Sequence, residues 1–337
     1  MNLTTALKQI EAGGDLTAHE AQALFDVIFD GHAKPDEIAA LLLALRTKGE
    51  SVEEIHGAVA SMRAHMKTIS APPMAIDIVG TGGDGHGTLN VSTAAAFVVA
   101  GAGVPVAKHG NRAASSLSGS SDVLRELQVN LEPEWDVLER CIDDIGIVFL
   151  FAPRHHPSMK YVADIRKKLG VRTIFNLLGP LTNPAGVRRH LIGVFNQAWS
   201  KPMAETLLAL GSHTAWITHG ADGLDEISTT GLTHITQVRD FGIRNFEITP
   251  ADADVPLASL KEIQGGDAKV NAAAIRRLLD GEKGPYRDIV LINAGAALVV
   301  ADKAKTLKDG VKLAAASIDS GAARDKLAQL VRVTHGG

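Results

Sequence analysis

Between Gly80 and Gly87 five of eight residues are glycine, in the order Gly80-Thr81-Gly82-Gly83-Asp84-Gly85-His86-Gly87. Asn90, Ser92 and Thr93 follow closely. Glycine at that density lets consecutive backbone N–H groups turn inward around an anion, and a helix opening behind them adds positive potential. The neighbouring hydroxyls and amide complete a shell suited to phosphate. The spacing is neither GxGxxG nor GxxxxGK[ST], so dinucleotide and P-loop readings fail. A flexible turn is the plain alternative. A second segment of this kind is Lys108-His109-Gly110-Asn111-Arg112, followed by Ser115, Ser116, Ser118, Gly119, Ser120, Ser121 and Asp122. Lysine is a compact charge for phosphate and serines are oriented donors; the alternative is a solvated loop with a serine cap. Two anion loops point to a ligand with more than one phosphate.

A third segment, His219-Gly220-Ala221-Asp222-Gly223-Leu224-Asp225-Glu226, carries adjacent carboxylates. At a ligand-binding sheet edge these suit Mg²⁺, which takes oxygen ligands and bridges carboxylates to phosphate. Asp-Gly alone is a common turn. In a fourth, Phe151-Ala152-Pro153-Arg154-His155-His156-Pro157 precedes Arg166, which could clamp a carboxylate in two-pronged fashion. Without that context it reads as an exposed helix residue, and the histidines as turn residues. No third ligand lies at zinc spacing. The sole cysteine, Cys141, lies in a helical stretch, and no G-x-S-x-G is present.

These segments need a scaffold, and the texture of the chain supplies one. The first 70 residues read as three amphipathic helices: Thr17 and Glu20 cap the first, Pro35 opens the second, and Ser51 and Glu54 cap the third. Beyond Ala71-Pro72-Pro73, strand-length apolar runs alternate with helical segments. The runs are Ile76–Val79, Val104–Ala107, Ile147–Ala152, Leu191–Phe195, Ala215–Thr218 and Ile289–Asn293; Val91–Ala102 and the region of Asp122–Gln128 read as helices. The expected fold class is α/β, a small all-helical domain plus a larger α/β domain with a central, mostly parallel sheet. Ligands bind beyond the carboxyl ends of strands in such sheets, where the four segments fall. Arg172–Pro184 breaks the alternation and is expected to return to the helical part. With 34 Lys+Arg against 38 Asp+Glu among 337 residues, the net charge of −4 argues against non-specific nucleic-acid binding. The N-terminal MNLTTALKQIEAGG lacks an apolar leader core, and no apolar stretch reaches membrane-spanning length, so a soluble cytoplasmic protein is expected.

Taken together, the segments resemble the anthranilate phosphoribosyltransferase family. The likeness rests on GTGGD at Gly80–Asp84, NVST at Asn90–Thr93, KHGNR at Lys108–Arg112, HPSMK at His156–Lys160, RTIFNLLGPLTNPA at Arg172–Ala185 and DGLDE at Asp222–Glu226, and it covers essentially the whole chain. GGD at Gly265–Asp267, Asn271-Ala272 and Asn293-Ala294 also fit. The resemblance implies transfer of the phosphoribosyl group of 5-phosphoribosyl 1-pyrophosphate (PRPP) to the amine of anthranilate, releasing pyrophosphate, the second step of tryptophan biosynthesis. It implies a nucleoside phosphorylase/phosphoribosyltransferase-like fold. A homodimerising helical domain would span residues 1–70, joined by about 170–188, and an α/β catalytic domain residues 71–169 and 189–337.

By the same resemblance, PRPP would be lined by Gly80, Gly83, Asp84, Thr88, Asn90, Val91, Ser92, Thr93, Lys108, His109, Gly110, Asn111, Arg112, Ala113, Ala114, Ser115, Ser116 and Ser120. Gly80, Asn111 and Arg166 would contact anthranilate, with His109 and His156 beside it. Ser92, Asp225 and Glu226 would hold magnesium, two ions with PRPP. No residue is required as a general base, although His109 is a candidate. The sequence departs from the family pattern at Leu117, Ser121 and Gln128, the last standing where glycine is usual. A pyrimidine nucleoside phosphorylase-like enzyme and a non-catalytic nucleic-acid-binding relative are the rival readings. The motif set fits the first poorly, and the net charge and DGLDE count against the second.

Overall fold

Seven strands form one sheet in the computed structural model, which describes residues 2–112 and 117–337. Ala113, Ala114, Ser115 and Ser116 of the second anion loop lie outside the described residues. The strands are β1 (Ile76–Gly80), β2 (Val106–Gly110), β3 (Ile147–Phe151), β4 (Arg189–Gly193), β5 (Thr214–Gly220), β6 (Thr233–Arg239) and β7 (Gly242–Ile248). Across the sheet they run β3-β2-β1-β4-β5-β6-β7, the first five parallel and the last two antiparallel. Sequence order departs in opposite directions from β1 and β4, and such a switch point opens a crevice for ligands.

Before the sheet come α1 (Leu3–Glu11), α2 (Ala18–Phe29), α3 (Pro35–Lys48) and α4 (Val52–Ala64). Within and after it come α5 (Val91–Gly101), α6 (Ser120–Glu126), α7 (Trp135–Ile145), α8 (Ala152–His155), α9 (Ala163–Leu169), α10 (Phe175–Leu181), α11 (Ser200–Ala209), α12 (Ala268–Leu279), α13 (Pro285–Val300), α14 (Leu307–Asp319) and α15 (Ala322–Thr334). The capping boxes at Thr17/Glu20 and Ser51/Glu54 form as expected. Neighbouring strand residues feed two separate apolar clusters: Ile78, Leu191 and Trp216 enter one, and Val79, Ile192 and Ile217 the other. Period-two alternation puts the clusters on opposite faces of the sheet. Both faces are therefore covered, which is why the central strands read as unbroken apolar runs. The first cluster gathers Phe97 of α5, Ile142 of α7 and Ile292 of α13. The second joins Phe25 of α2, Leu41 of α3 and Ile55 of α4 to Phe175 of α10 and Met203 of α11. The Phe175 ring meets Phe25 edge-on at 5.9 Å.

Three expectations need correction, and two strands are unanticipated. Ile289–Asn293 is not a strand but the middle of α13. Ile289, Val290, Ile292 and Asn293 are fully buried and Leu291 nearly so, which erases the one-sided periodicity of a surface helix. The N-terminal part has four helices, α1 being additional. Strand β2 starts at Val106 and continues through Gly110, so Lys108 and His109 lie on a strand, not in a loop. Strands β6 and β7 carry no turn signal: they are joined through Asp240 and Phe241, both at positive φ (51° and 61°), where Asn-Gly is the usual sequence.

Gln128, just beyond α6, has φ 68°. That is the left-handed region, where glycine avoids a Cβ clash. Gln128→Gly should therefore raise stability by about 0.5–1 kcal/mol, strain relief exceeding the added freedom of the unfolded chain. Urea denaturation checks this, with turnover unchanged; a lower midpoint contradicts it.

Candidate active site

The last register pair of β1 and β4 is Gly80 and Gly193. Asp225 is seated on both. A Cβ on Gly193 would lie 1.5 Å from the Asp225 carbonyl oxygen, and one on Gly80 2.5 Å from its carboxylate Oδ2. Only glycine permits so close an approach. Gly82 N–H donates to Asp225 Oδ2 at 2.8 Å, and Thr81 N–H to the Gly193 carbonyl at 2.9 Å. Asn293 on α13 holds the far side: its Oδ1 accepts from Ile227 N–H at 2.9 Å and its Nδ2 donates to the Ile227 carbonyl at 2.9 Å. Asp222 has a different task. Its carboxylate accepts the Ser228 and Thr230 hydroxyls at 2.6 and 2.5 Å and buttresses the turn.

Glu226 reaches the start of α5, where Ser92 N–H donates to its Oε1 at 3.2 Å. Lys108 on β2 is buried, and its Nζ donates to the Ile78 carbonyl at 2.5 Å and to Ser92 Oγ at 3.2 Å. Burial lowers the lysine pKa, opposed by the charges of Asp77, Glu226 and Asp225. Asp77, fully buried, is pushed up to about 6 by burial, while Lys108 and hydrogen bonds from Asn183 Nδ2 (2.7 Å) and His109 N–H (3.1 Å) oppose the shift. Burial, then the charge of Asp84, pushes Asp225 up to about 7. Glu226 is raised by burial and by Asp225. Carboxylates that resist ionising together in a cleft need added positive charge. The donors Asp225, Glu226 and Ser92 are all hard oxygens, which fits Mg²⁺. Among the described residues no three His, Cys, Asp or Glu side chains are grouped to hold an ion by themselves.

On the other side of β2, His109 Nδ1 faces the Gly179 carbonyl of α10 at 3.1 Å. A carbonyl only accepts, so Nδ1 carries the hydrogen and the lone pair is on Nε2, 3.2 Å from His156 Nε2. Both rings are buried, and burial pushes His109 down to about 4 and His156 to about 2. They form a neutral wall at neutral pH, and the turn-residue reading of His155 and His156 is wrong on burial. Arg166 of α9 stacks over Phe175 at 5.3 Å, one turn before Gly179. No carboxylate of the described residues pairs with it. The same α10 thus borders both Arg166 and His109.

The remaining candidates are held more locally. Gln264 Nε2 donates to the His86 and Gly87 carbonyls at 3.1 and 2.9 Å, and Thr88 bridges to Gln264. Asn90 accepts from Asn271 Nδ2 at 2.8 Å through its side chain and from the Tyr286 hydroxyl at 3.2 Å through its carbonyl. Val91 and Thr93 are buried in the first turn of α5. Gly110 ends β2, and a Cβ there would meet Ser120 Oγ at 2.4 Å. Asn111 and Arg112 are exposed; the Asn111 carbonyl accepts from Ser120 Oγ at 3.3 Å.

The sequence profile described as glycosyl transferase family, a/b domain, matches residues 72–324, and that described as glycosyl transferase family, helical bundle domain, matches residues 4–66. Anthranilate phosphoribosyltransferase from Rhodopseudomonas palustris (strain BisA53) is 52% identical over 335 residues, 99% of each chain. The chain belongs to the anthranilate phosphoribosyltransferase family. Among solved members, the crystal structure from Thermus thermophilus matches with a TM-score of 0.93 and 42% identity over 98% of this chain and 99% of that one. The Saccharomyces cerevisiae enzyme in complex with PRPP and Mg matches with a TM-score of 0.90 and 28% identity, over 99% and 98%. Neither rival reading is favoured by these relatives. No helix among the described residues is long and apolar enough to cross a membrane.

Four residues packed around these segments receive no role from the sequence. Gly193 reads only as part of an apolar run, although a glycine inside a strand pattern is a signal for close backbone approach. Asp77 and Asn183 are buried behind His109; Asn183 falls in the RTIFNLLGPLTNPA motif, but their pairing has no local signature. Arg172 opens the RTIFNLLGPLTNPA motif, but nothing in that motif signals its contact with the glycine loop at Gly83.

Proposed function

We propose that the chain transfers the phosphoribosyl group of PRPP to the amine of anthranilate, giving N-(5-phosphoribosyl)anthranilate and pyrophosphate. The observation that carries this reading is the seat of Asp225 on the Gly80–Gly193 pair. It joins an anion-binding glycine loop and the α5 N-terminus to two carboxylates in one cleft. The relatives' names agree, as does the yeast complex with 4-fluoroanthranilate. Anthranilate fluorescence, followed with PRPP with and without Mg²⁺, tests the reading; no consumption in either condition overturns it.

The chemistry asks for two things. An arylamine is a weak nucleophile, so cleavage of the bond to pyrophosphate leads and the sugar gains oxocarbenium character. The leaving group's charge must be stabilised and the amine held in line. Lys108, the glycine-loop N–H groups and the first turn of α5 bind the phosphates. Ser92, Asp225 and Glu226 hold magnesium, two ions with PRPP, which when bound neutralises pyrophosphate charge. Gly80, Gly83, Asp84, Thr88, Asn90 and residues 108–116 with Ser120 complete the PRPP side. Arg166 clamps the anthranilate carboxylate, with Gly80, Asn111, His109 and His156 around the ring. No general base is assigned.

Arg166→Ala should raise KM for anthranilate by about tenfold or more, the loss of a charge-assisted bond, with KM for PRPP retained. An unchanged anthranilate KM removes Arg166 from the site. We assign dimerisation to residues 1–70 with about 170–188 and catalysis to residues 71–169 and 189–337, in a cytoplasmic homodimer; sedimentation velocity reads the dimer directly.

A further inference from the structure

Arg172 precedes α10 and has no part in the assignments above. Its guanidinium stacks on Phe195, Cζ 3.8 Å from the ring centroid, and donates to the Gly83 carbonyl. Phe195 is itself tied to the glycine loop, its N–H donating to Thr81 Oγ1 at 3.0 Å. The Arg172–Phe195 pair therefore grips the loop at Thr81 and Gly83, on either side of Gly82, whose N–H holds Asp225. Gly82 and Gly83 have φ of 65° and 79°, a region where glycine backbones reorient at little steric cost. Left alone, the Gly83–Asp84 peptide could turn either face inward. In a trans peptide the carbonyl and the following N–H point to opposite sides. A donor held on the Gly83 carbonyl thus fixes the Asp84 N–H on the side of the peptide facing away from Arg172.

We propose that Arg172 is a positioning residue for the pyrophosphate subsite: held flat on Phe195, it locks the Gly83 carbonyl and keeps the loop's N–H groups in their anion-binding orientation. The proposal rests on the PRPP reading and adds to it a residue outside the loop that sets the loop's affinity. Arginine suits the task because its planar fork stacks on a ring and donates at once, which the lysine ammonium does not.

The test compares wild type, Arg172→Ala and Arg172→Lys by calorimetric titration with inorganic pyrophosphate and Mg²⁺, alongside steady-state kinetics and melting temperature. For Arg172→Ala the expected result is about tenfold weaker pyrophosphate binding and a matching rise in KM for PRPP, the size of one lost charge-assisted hydrogen bond. KM for anthranilate and the melting temperature stay unchanged. Arg172→Lys recovers only part of the loss. Unchanged pyrophosphate affinity in Arg172→Ala overturns the proposal, as does an equal rise in both KM values. Full recovery in Arg172→Lys overturns it too, since charge alone would then suffice. Failure of wild type to consume anthranilate is a separate result that counts against the function itself.

Discussion

The D225N/E226Q double variant is expected to lose turnover by a factor on the order of 10³ or more, and with it the dependence of rate on Mg²⁺. Both changes keep size and shape. The amide oxygens that replace the two carboxylates can still accept from Gly82 N–H and Ser92 N–H, so the loop keeps its anchors. What disappears is negative charge. In the metal-free protein that charge is unfavourable: burial and the neighbouring acids raise both carboxylates above their ordinary range. The variant should therefore melt at the same temperature as metal-free wild type or higher. Anthranilate fluorescence across a Mg²⁺ titration, with scanning calorimetry, separates the two effects. Near-normal turnover would sink the metal assignment, and a large fall in melting temperature would make the loss structural.

The second large effect is expected at Gly193. In Gly193→Ala the new methyl would lie 1.5 Å from the Asp225 carbonyl oxygen and 2.4 Å from its carbon. Those are backbone atoms, so no side-chain rotation relieves the clash, and the segment carrying Asp225 and Glu226 must lift from the sheet. Overpacking of this kind costs about 1–3 kcal/mol of stability. A catalytic group displaced by about 1 Å costs on the order of 10²-fold in rate, so turnover should fall at least that far. Gly231→Ala is the control, because no atom lies within 4 Å of its added Cβ. Turnover within about threefold of wild type in Gly193→Ala would show that the seat is not needed, given that mislocation on this scale costs far more.

These two sites differ in how they can be read from sequence. Asp225 and Glu226 are legible only in combination: adjacent acids in a common Asp-Gly turn are a weak signal that the two anion loops strengthen. The glycine loop, five glycines in eight residues, is the sharpest signal by itself. Gly193 and Arg172 act through contacts with Asp225 and Gly83 that only the folded sheet creates; Arg172 opens a recognisable motif, yet the motif does not record the contact. The fold shows the same division. Parallel strands β1 to β5 are legible as apolar runs because helices cover both of their faces. That rule misplaces Ile289–Asn293, since a helix buried on all sides has no polar stripe. It also passes over β6 and β7, whose turn through Asp240 and Phe241 lacks the usual glycine.

The second apolar cluster bears on how such an enzyme can be taken apart or recombined. The two profile matches end and begin at residues 66 and 72, which invites a cut between them. In space that cut divides a single core, because Phe25, Leu41 and Ile55 share it with Phe175, Met203, Ile192 and Ile217. Truncation there would yield no smaller catalytic module but a sheet with one layer stripped, its covering helices turned into an adhesive surface. The piece that evolution or an engineer could graft elsewhere is thus not the helical segment alone but that segment together with α10 and α11, on which it rests.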